Sequence, residues 1–65
     1  MQQRKQPQFM DAVEVASLLR VSLATIRAWT MHRRLPVVKV GRRVLFRRDR
    51  IEAWLAAREV PPQND

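Results

Sequence analysis

Ten of the chain's thirteen cationic side chains fall between Arg20 and Arg50: Arg20, Arg27, Arg33, Arg34, Lys39, Arg42, Arg43, Arg47, Arg48 and Arg50, against one acid, Asp49. Arginine outnumbers lysine eleven to two. A guanidinium fork meets a phosphate or a guanine edge with two parallel hydrogen bonds, which an ammonium does not. The chemistry these residues suit is therefore anion recognition. Their densest run is Val40-Gly-Arg-Arg-Val-Leu-Phe-Arg-Arg48, which also holds the only glycine. The whole chain carries a net charge of +7 and has a pI near 11.8. So basic a folded domain points to a polyanion as partner. The plainer alternatives are a solubilising charged surface and a nuclear-localisation tag.

Other chemistries find little support. His32 is the only histidine and there is no cysteine, so a histidine or thiolate metal cluster, a disulfide and thiolate catalysis are all missing. Asp11, Glu14, Asp49 and Glu52 are spaced as helix caps rather than as a catalytic carboxylate pair. No glycine-rich phosphate loop is present. The expectation is a protein with no enzymatic activity, no cofactor and no metal. The longest uninterrupted apolar run is five residues, Ala53–Ala57, too short to span a membrane. With no apolar signal core near the N-terminus and no cysteine, a cytoplasmic location is expected.

Elements must position the arginines. Sixty-five residues, 46% hydrophobic and 29% charged, compose one small globular domain. The boundaries expected are a flexible tail at 1–9, a folded body at 10–59 and a flexible tail at 60–65. Asp11-Ala-Val-Glu14 has capping-box spacing, and Ala12, Val15, Ala16 and Leu19 recur at helical spacing, predicting a helix over about 12–20. Ser22 is a good N-cap for a second helix over about 23–32. Ile26 and Trp29 share its buried side, while Ala24, Arg27, Ala28 and Met31 lie on an open one. Two short helices joined at Arg20-Val-Ser22 read as a helix-turn-helix. Val37–Val40 and Val44–Phe46 then form a hairpin. A three-residue loop, Gly41-Arg42-Arg43, sets Val40 opposite Val44 and Val38 opposite Phe46, with all four on the face that covers the helices. Asp49-Arg-Ile-Glu52 repeats the capping-box spacing, and Ile51, Trp54 and Leu55 supply a buried stripe for a last helix ending near Arg58 or Glu59. The fold class is mainly α with a small β-hairpin: a helix-turn-helix, a two-stranded antiparallel wing and a C-terminal helix.

In order of elements and in residues, Glu14-Val-Ala16, Leu19, Val21-Ser22, Thr25, Leu35-Pro36, Val40-Gly41-Arg42 and Ile51 through Trp54-Leu55, the chain resembles the small excisionase and MerR-like winged helix-turn-helix DNA-binding proteins. The resemblance covers about residues 10–57. It implies that the helix beginning at Ser22 enters the major groove and that a wing at Gly41–Arg43 reaches the neighbouring backbone or the minor groove. Two departures stand out: the family usually has glycine where Arg20 stands, and another close to Arg33-Arg34. A left-handed arginine costs about 1–2 kcal/mol, so a different turn is expected there.

On this reading the recognition helix presents Ser22, Leu23, Ala24, Thr25, Arg27, Ala28 and Met31. The helix N-terminus and Ser22 suit a phosphate. Ala24 and Ala28 are small enough to let the helix approach the groove floor. Thr25 either contacts DNA or supports the cap. Arg27 either bridges guanine O6 and N7 or meets a phosphate. Leu23 and Met31 meet thymine methyls or cover the helix edges. Lys39, Gly41, Arg42 and Arg43 form the wing, and Arg20, Arg33 and Arg34 are backbone contacts that position without specifying sequence. Arg47, Arg48 and Arg50 contact DNA, stay solvated or pair with Glu52. Trp29 and Trp54, at buried helical spacing, read as core.

The partner expected is double-stranded DNA. With no effector domain in view, an architectural role is favoured: an excisionase, or recombination directionality factor, that bends DNA and assists a tyrosine or serine integrase, with cooperative self-association on DNA and no membrane. A small MerR-like transcriptional regulator is the alternative within DNA binding. A basic module that docks an acidic protein is the alternative outside it.

Overall fold

A computed structural model describes residues 8–62. The elements run β1 (Phe9–Met10), α1 (Ala12–Leu19), α2 (Leu23–Met31), β2 (Val38–Val40), β3 (Arg43–Arg47) and α3 (Arg48–Ala56). This is the winged helix-turn-helix architecture the sequence predicts, with one strand more. Residues 1–7 and 63–65, most of the two expected tails, lie outside the described residues.

α1 starts at the capping box expected of it. The Asp11 carboxylate accepts the Glu14 N–H at 2.8 Å, and the Glu14 carboxylate accepts the Asp11 N–H at 2.9 Å. The helix stops at Arg20, which stands at φ 60° and ψ 41°, in the left-handed region. The Val21 N–H donates to the Ala16 carbonyl at 3.0 Å and the Arg20 N–H to that of Ser17 at 3.3 Å. These are the two bonds of a Schellman stop, and Val21 packs against the core as such motifs favour. The expectation that an arginine here would force a different turn is therefore wrong. The left-handed turn forms without glycine, because two backbone hydrogen bonds and the seating of Val21 outweigh the cost of the Cβ.

The second helix ends the same way. Ser22 caps its start by accepting the Thr25 N–H at 3.1 Å. At its end Arg33 takes φ 58°, with the Arg33 N–H on the Thr30 carbonyl at 3.1 Å and the Arg34 N–H on that of Trp29 at 2.8 Å. Arg20 and Arg33 are the two non-glycine residues with positive φ among those described. Leu35, next along, is buried.

The sheet order is β1-β3-β2, all antiparallel. β1 pairs Phe9 with Arg47 and Met10 with Phe46, so the wing is backed by a third strand and Met10 joins the core. The hairpin register differs from the expected one. Val38 faces Leu45, Lys39 faces Val44 and Val40 faces Arg43. The loop thus has two residues, Gly41 and Arg42, not three. Gly41 sits at φ +60° while Arg42 is not among the positive-φ residues, the sign pattern of a type II′ turn. Such turns match the twist of the paired strands, which is what selects the shorter loop. A slip of one residue exchanges faces. Val44 and Phe46, with Val37, pack inward, whereas Val40 is 52% exposed and shares the outer face with Arg43.

α3 departs from its expected start. The helix begins at Arg48 directly after the strand, its N-cap is Arg47, and no side chain caps it. Asp49 lies inside the first turn, where its charge still meets the positive end of the helix dipole, and the second capping box does not form. The helix ends at Ala56, earlier than expected, and Leu55 is 38% exposed rather than buried.

The core is Met10, Val15, Ala16, Ile26, Leu35, Phe46 and Ile51, with Leu18, Leu19, Val21, Trp29, Val37, Val44 and Trp54 packed around it. Every element except β2 contributes a buried residue, so the two helices and the wing are locked into one body. A core this small leaves only a few kcal/mol of net stability.

Candidate nucleic-acid interface

Burial of Ile26, with Trp29 against the core, turns the opposite side of α2 outward. Ser22, Ala24, Arg27 and Ala28 are exposed there, and Met31 is 78% exposed. Leu23 and Thr25 are half-buried at the helix edge. The Thr25 hydroxyl lies 2.9 Å from Ser22 Oγ, the same oxygen that accepts the Thr25 N–H, so Thr25 takes part in the cap. The exposed helix face is small-sided, with one long cation, Arg27, near its middle.

Beside that face lies an open groove of about 960 Å³ between the second half of α2 and the inner side of the wing. Arg27, Met31 and Arg33 line one wall and Lys39 the other, above a floor that includes Leu35 and Phe46. The slipped register is what brings Lys39 here. Opposite Val44, its side chain leaves the sheet on the inner face. The fold thus gathers Arg27, Met31, Arg33 and Lys39 from two separate stretches of sequence into one cationic cleft.

Four further cations lie outside this lining. Arg20 is exposed at the turn between α1 and α2, and Arg34 is exposed just past α2. Arg42 and Arg43 are exposed at the hairpin tip with Gly41. A Cβ on Gly41 would meet nothing within 4 Å, so the glycine is required by its φ of +60° and not by lack of space.

Two arginines are engaged elsewhere. The Arg47 guanidinium donates to both Asp49 carboxylate oxygens, at 3.1 and 2.7 Å. The Arg48 guanidinium donates to Glu52 at 3.1 Å, one helical turn on. Exposed pairs of this kind contribute about 0–1 kcal/mol each. Desolvation beside the sheet would raise the Asp49 carboxyl, but the Arg47 guanidinium, the Arg50 N–H and the Arg50 charge together hold it below its ordinary value of 3.8.

Three features escape sequence reasoning. The Trp54 indole N–H donates to the Arg34 carbonyl at 2.7 Å, across twenty residues of sequence. The Arg58 guanidinium stacks 3.9 Å above the Trp54 ring, a contact that the i, i+4 spacing of Trp54 and Arg58 could have signalled. The Thr30 hydroxyl, beside the groove, is buried without a hydrogen-bond partner, and nothing in the sequence marks it.

Two helices at a tight turn, the second with an open face, and a hairpin wing with cations on either side define a winged helix-turn-helix DNA-binding domain. The profile of the helix-turn-helix domain family matches residues 9–59, and the chain belongs to that family. No curated protein and no solved structure matches it significantly. Among the described residues no helix is long and apolar enough to cross a membrane, and no cluster of His, Cys, Asp or Glu is placed to hold a metal ion.

Proposed function

We propose that the protein binds duplex DNA with α2 in the major groove and the Gly41–Arg43 tip on the neighbouring backbone or minor groove, and that it serves as an excisionase. In this role it bends DNA at an element's attachment site and assists a tyrosine or serine integrase, loading cooperatively on repeated sites. The observation that carries the reading is the cationic cleft. Arg27 and Arg33 on the helix side and Lys39 on the wing side flank an open groove. Cations on both sides of a groove beside the reading helix reward DNA that curves toward them, which is how bending energy is repaid. The excisionase assignment is further supported by the resemblance carried by Glu14-Val-Ala16, Val40-Gly41-Arg42 and Ile51 through Leu55.

Within the site, Arg27 reads a base edge, with Ala24 and Ala28 allowing close approach and Leu23 and Met31 meeting thymine methyls. Ser22 and the α2 N-terminus, with Arg20, Arg33, Arg34, Lys39, Arg42 and Arg43, hold phosphates. Arg27→Ala then costs roughly 1–3 kcal/mol at one base step and relaxes sequence choice there, whereas Arg43→Ala weakens all duplexes alike. Equal losses for both variants on every duplex would remove Arg27 as base reader. A circularly permuted set of fragments carrying the selected site tests the architectural role. Mobility that varies with site position supports bending, while uniform mobility favours a small transcriptional regulator.

A further inference from the structure

The Arg33–Arg34 turn is held by two tryptophans. Arg33 is in the left-handed region, a conformation a non-glycine residue leaves unless its surroundings hold it. The next residue is held at both of its backbone polar groups. The Arg34 N–H donates to the Trp29 carbonyl at 2.8 Å, and the Arg34 carbonyl accepts the Trp54 indole N–H at 2.7 Å. The two indole rings pack with centroids 5.8 Å apart at 43°, an orientation that fixes one against the other. Arg58 covers the Trp54 ring, its guanidinium 3.9 Å from the centroid, and donates to the Trp54 carbonyl at 3.3 Å. While this backbone is fixed, the Arg33 and Arg34 side chains remain exposed.

We propose that Trp54 is a positioning residue for DNA binding: its indole N–H holds the left-handed Arg33–Arg34 turn, so that both arginines meet the phosphate backbone in a fixed register with α2. The inference rests on the DNA-binding reading. Trp54 belongs to α3 and contacts no nucleic acid itself. It acts on affinity by sparing the two arginines the ordering they would otherwise undergo on binding. Removing the indole N–H frees the Arg34 carbonyl, and Arg33 relaxes toward the right-handed region. The two side chains then lose their common origin.

Trp54→Phe keeps an apolar ring and deletes the donor. Its binding to a 20-mer duplex is measured by fluorescence anisotropy across salt concentrations beside the wild type, Arg33→Ala/Arg34→Ala and the triple variant. Since each neutralised phosphate contributes a slope of about 0.9 in log affinity against log salt, Trp54→Phe is expected to bind with a slope shallower by about 1–2. Its preference for the selected site over a scrambled one stays unchanged, because α2 is intact. The triple variant is expected to match Arg33→Ala/Arg34→Ala. A wild-type slope for Trp54→Phe, or equal further loss in the triple variant, overturns the proposal. If Trp54→Phe lacks a cooperative melt, hydrogen exchange of the wild-type Trp54 indole decides: protection supports the clamp, and exchange at the rate of a free indole refutes it. A wild-type slope near zero means instead that the DNA-binding reading has failed, and the positioning role falls with it, whatever the indole exchange shows.

Discussion

Replacing Arg33 with glycine should make the protein more stable and a weaker binder. Arg33 stands at φ 58° as the left-handed residue of the turn that ends α2. Its contribution to that turn is backbone only: its own N–H on Thr30, and the following N–H on Trp29. Glycine keeps both bonds and removes the Cβ clash, which for an L-residue costs about 1–2 kcal/mol. Part of that gain is returned, because glycine enlarges the unfolded ensemble by roughly 0.4–1 kcal/mol. The net expectation is stabilisation of about 0.5–1 kcal/mol. In a domain of this size 1 kcal/mol moves Tm by about 4–8 °C, so a rise of a few degrees in a far-UV circular dichroism melt is the readout. The same variant removes one cation from the groove wall, so the salt slope of duplex binding should flatten by about 0.9. Arg20→Gly, at the matching turn after α1, should be stabilising for the same reason. A fall in Tm for Arg33→Gly would refute the argument, since it would mean that the arginine side chain, and not the backbone bonds around it, sustains the turn.

The hairpin register can be read from a pair of variants: Val40→Thr on the outer face should shift stability by less than about 0.5 kcal/mol, while Val44→Thr, which sets a hydroxyl against the core, should cost about 1–3 kcal/mol. Similar costs at both positions in urea melts would point to the three-residue loop. The Arg47–Asp49 pair predicts a pH dependence. The folded Asp49 carboxyl lies below its ordinary value of 3.8, so its contribution is complete above that value and is lost as pH falls through the lower folded one. The stability difference between wild type and Asp49→Asn should therefore shrink in melts taken from pH 5 down to pH 2, and a constant difference would sink the assignment.

The helices were legible because their signals are local. The Asp11–Glu14 box, the Ser22 cap and the Val15, Ala16 and Ile26 stripe all act within one or two turns, and each is found where the spacing puts it. The errors lie where a local pattern was satisfied and tertiary structure chose otherwise. Asp49-x-x-Glu52 has the same spacing as Asp11-x-x-Glu14, yet only the first forms a box. Phe46 and Ile51 must both be buried, which lets the chain turn from strand to helix on Arg47 alone and draws Asp49 inside the first turn. In the hairpin, Val38-x-Val40 and Val44-x-Phe46 share one face only with a three-residue loop, yet the structure takes the two-residue loop and turns Val38 and Val40 outward. Val37, which joins Val44 and Phe46 on the inner face when the loop has two residues, adds to the turn's own preference for the shorter loop. β1 is two residues long, too short for any periodicity. Of the site, the open face of α2 and the arginine tip were legible. The placing of Lys39 in the cleft was not, because it follows from the register. The hold of Trp54 on Arg34 was not either, since a hydrogen bond across twenty residues has no local signature.

The same physics links the stability of this domain to its partner. Among the described residues, seven are buried in the core and two arginines are held in left-handed backbone, while the chain's net charge of +7 repels itself across the surface. The small core limits the stability of the free protein, the strain and the charge lower it further, and these last two concern the residues proposed to contact phosphate. Neutralising that charge on a duplex would remove the repulsion, and the proposed phosphate contacts of Arg20 and Arg33 would offset the strain of their turns. A ligand that binds only the folded state adds about 2.7 kcal/mol of stability at a hundredfold excess over Kd, comparable to the net stability such a core leaves. Strain retained at the basic turns of so small a domain is therefore consistent with a fold whose working state is the DNA-bound one. Glycines at positions 20 and 33 would favour the free protein instead.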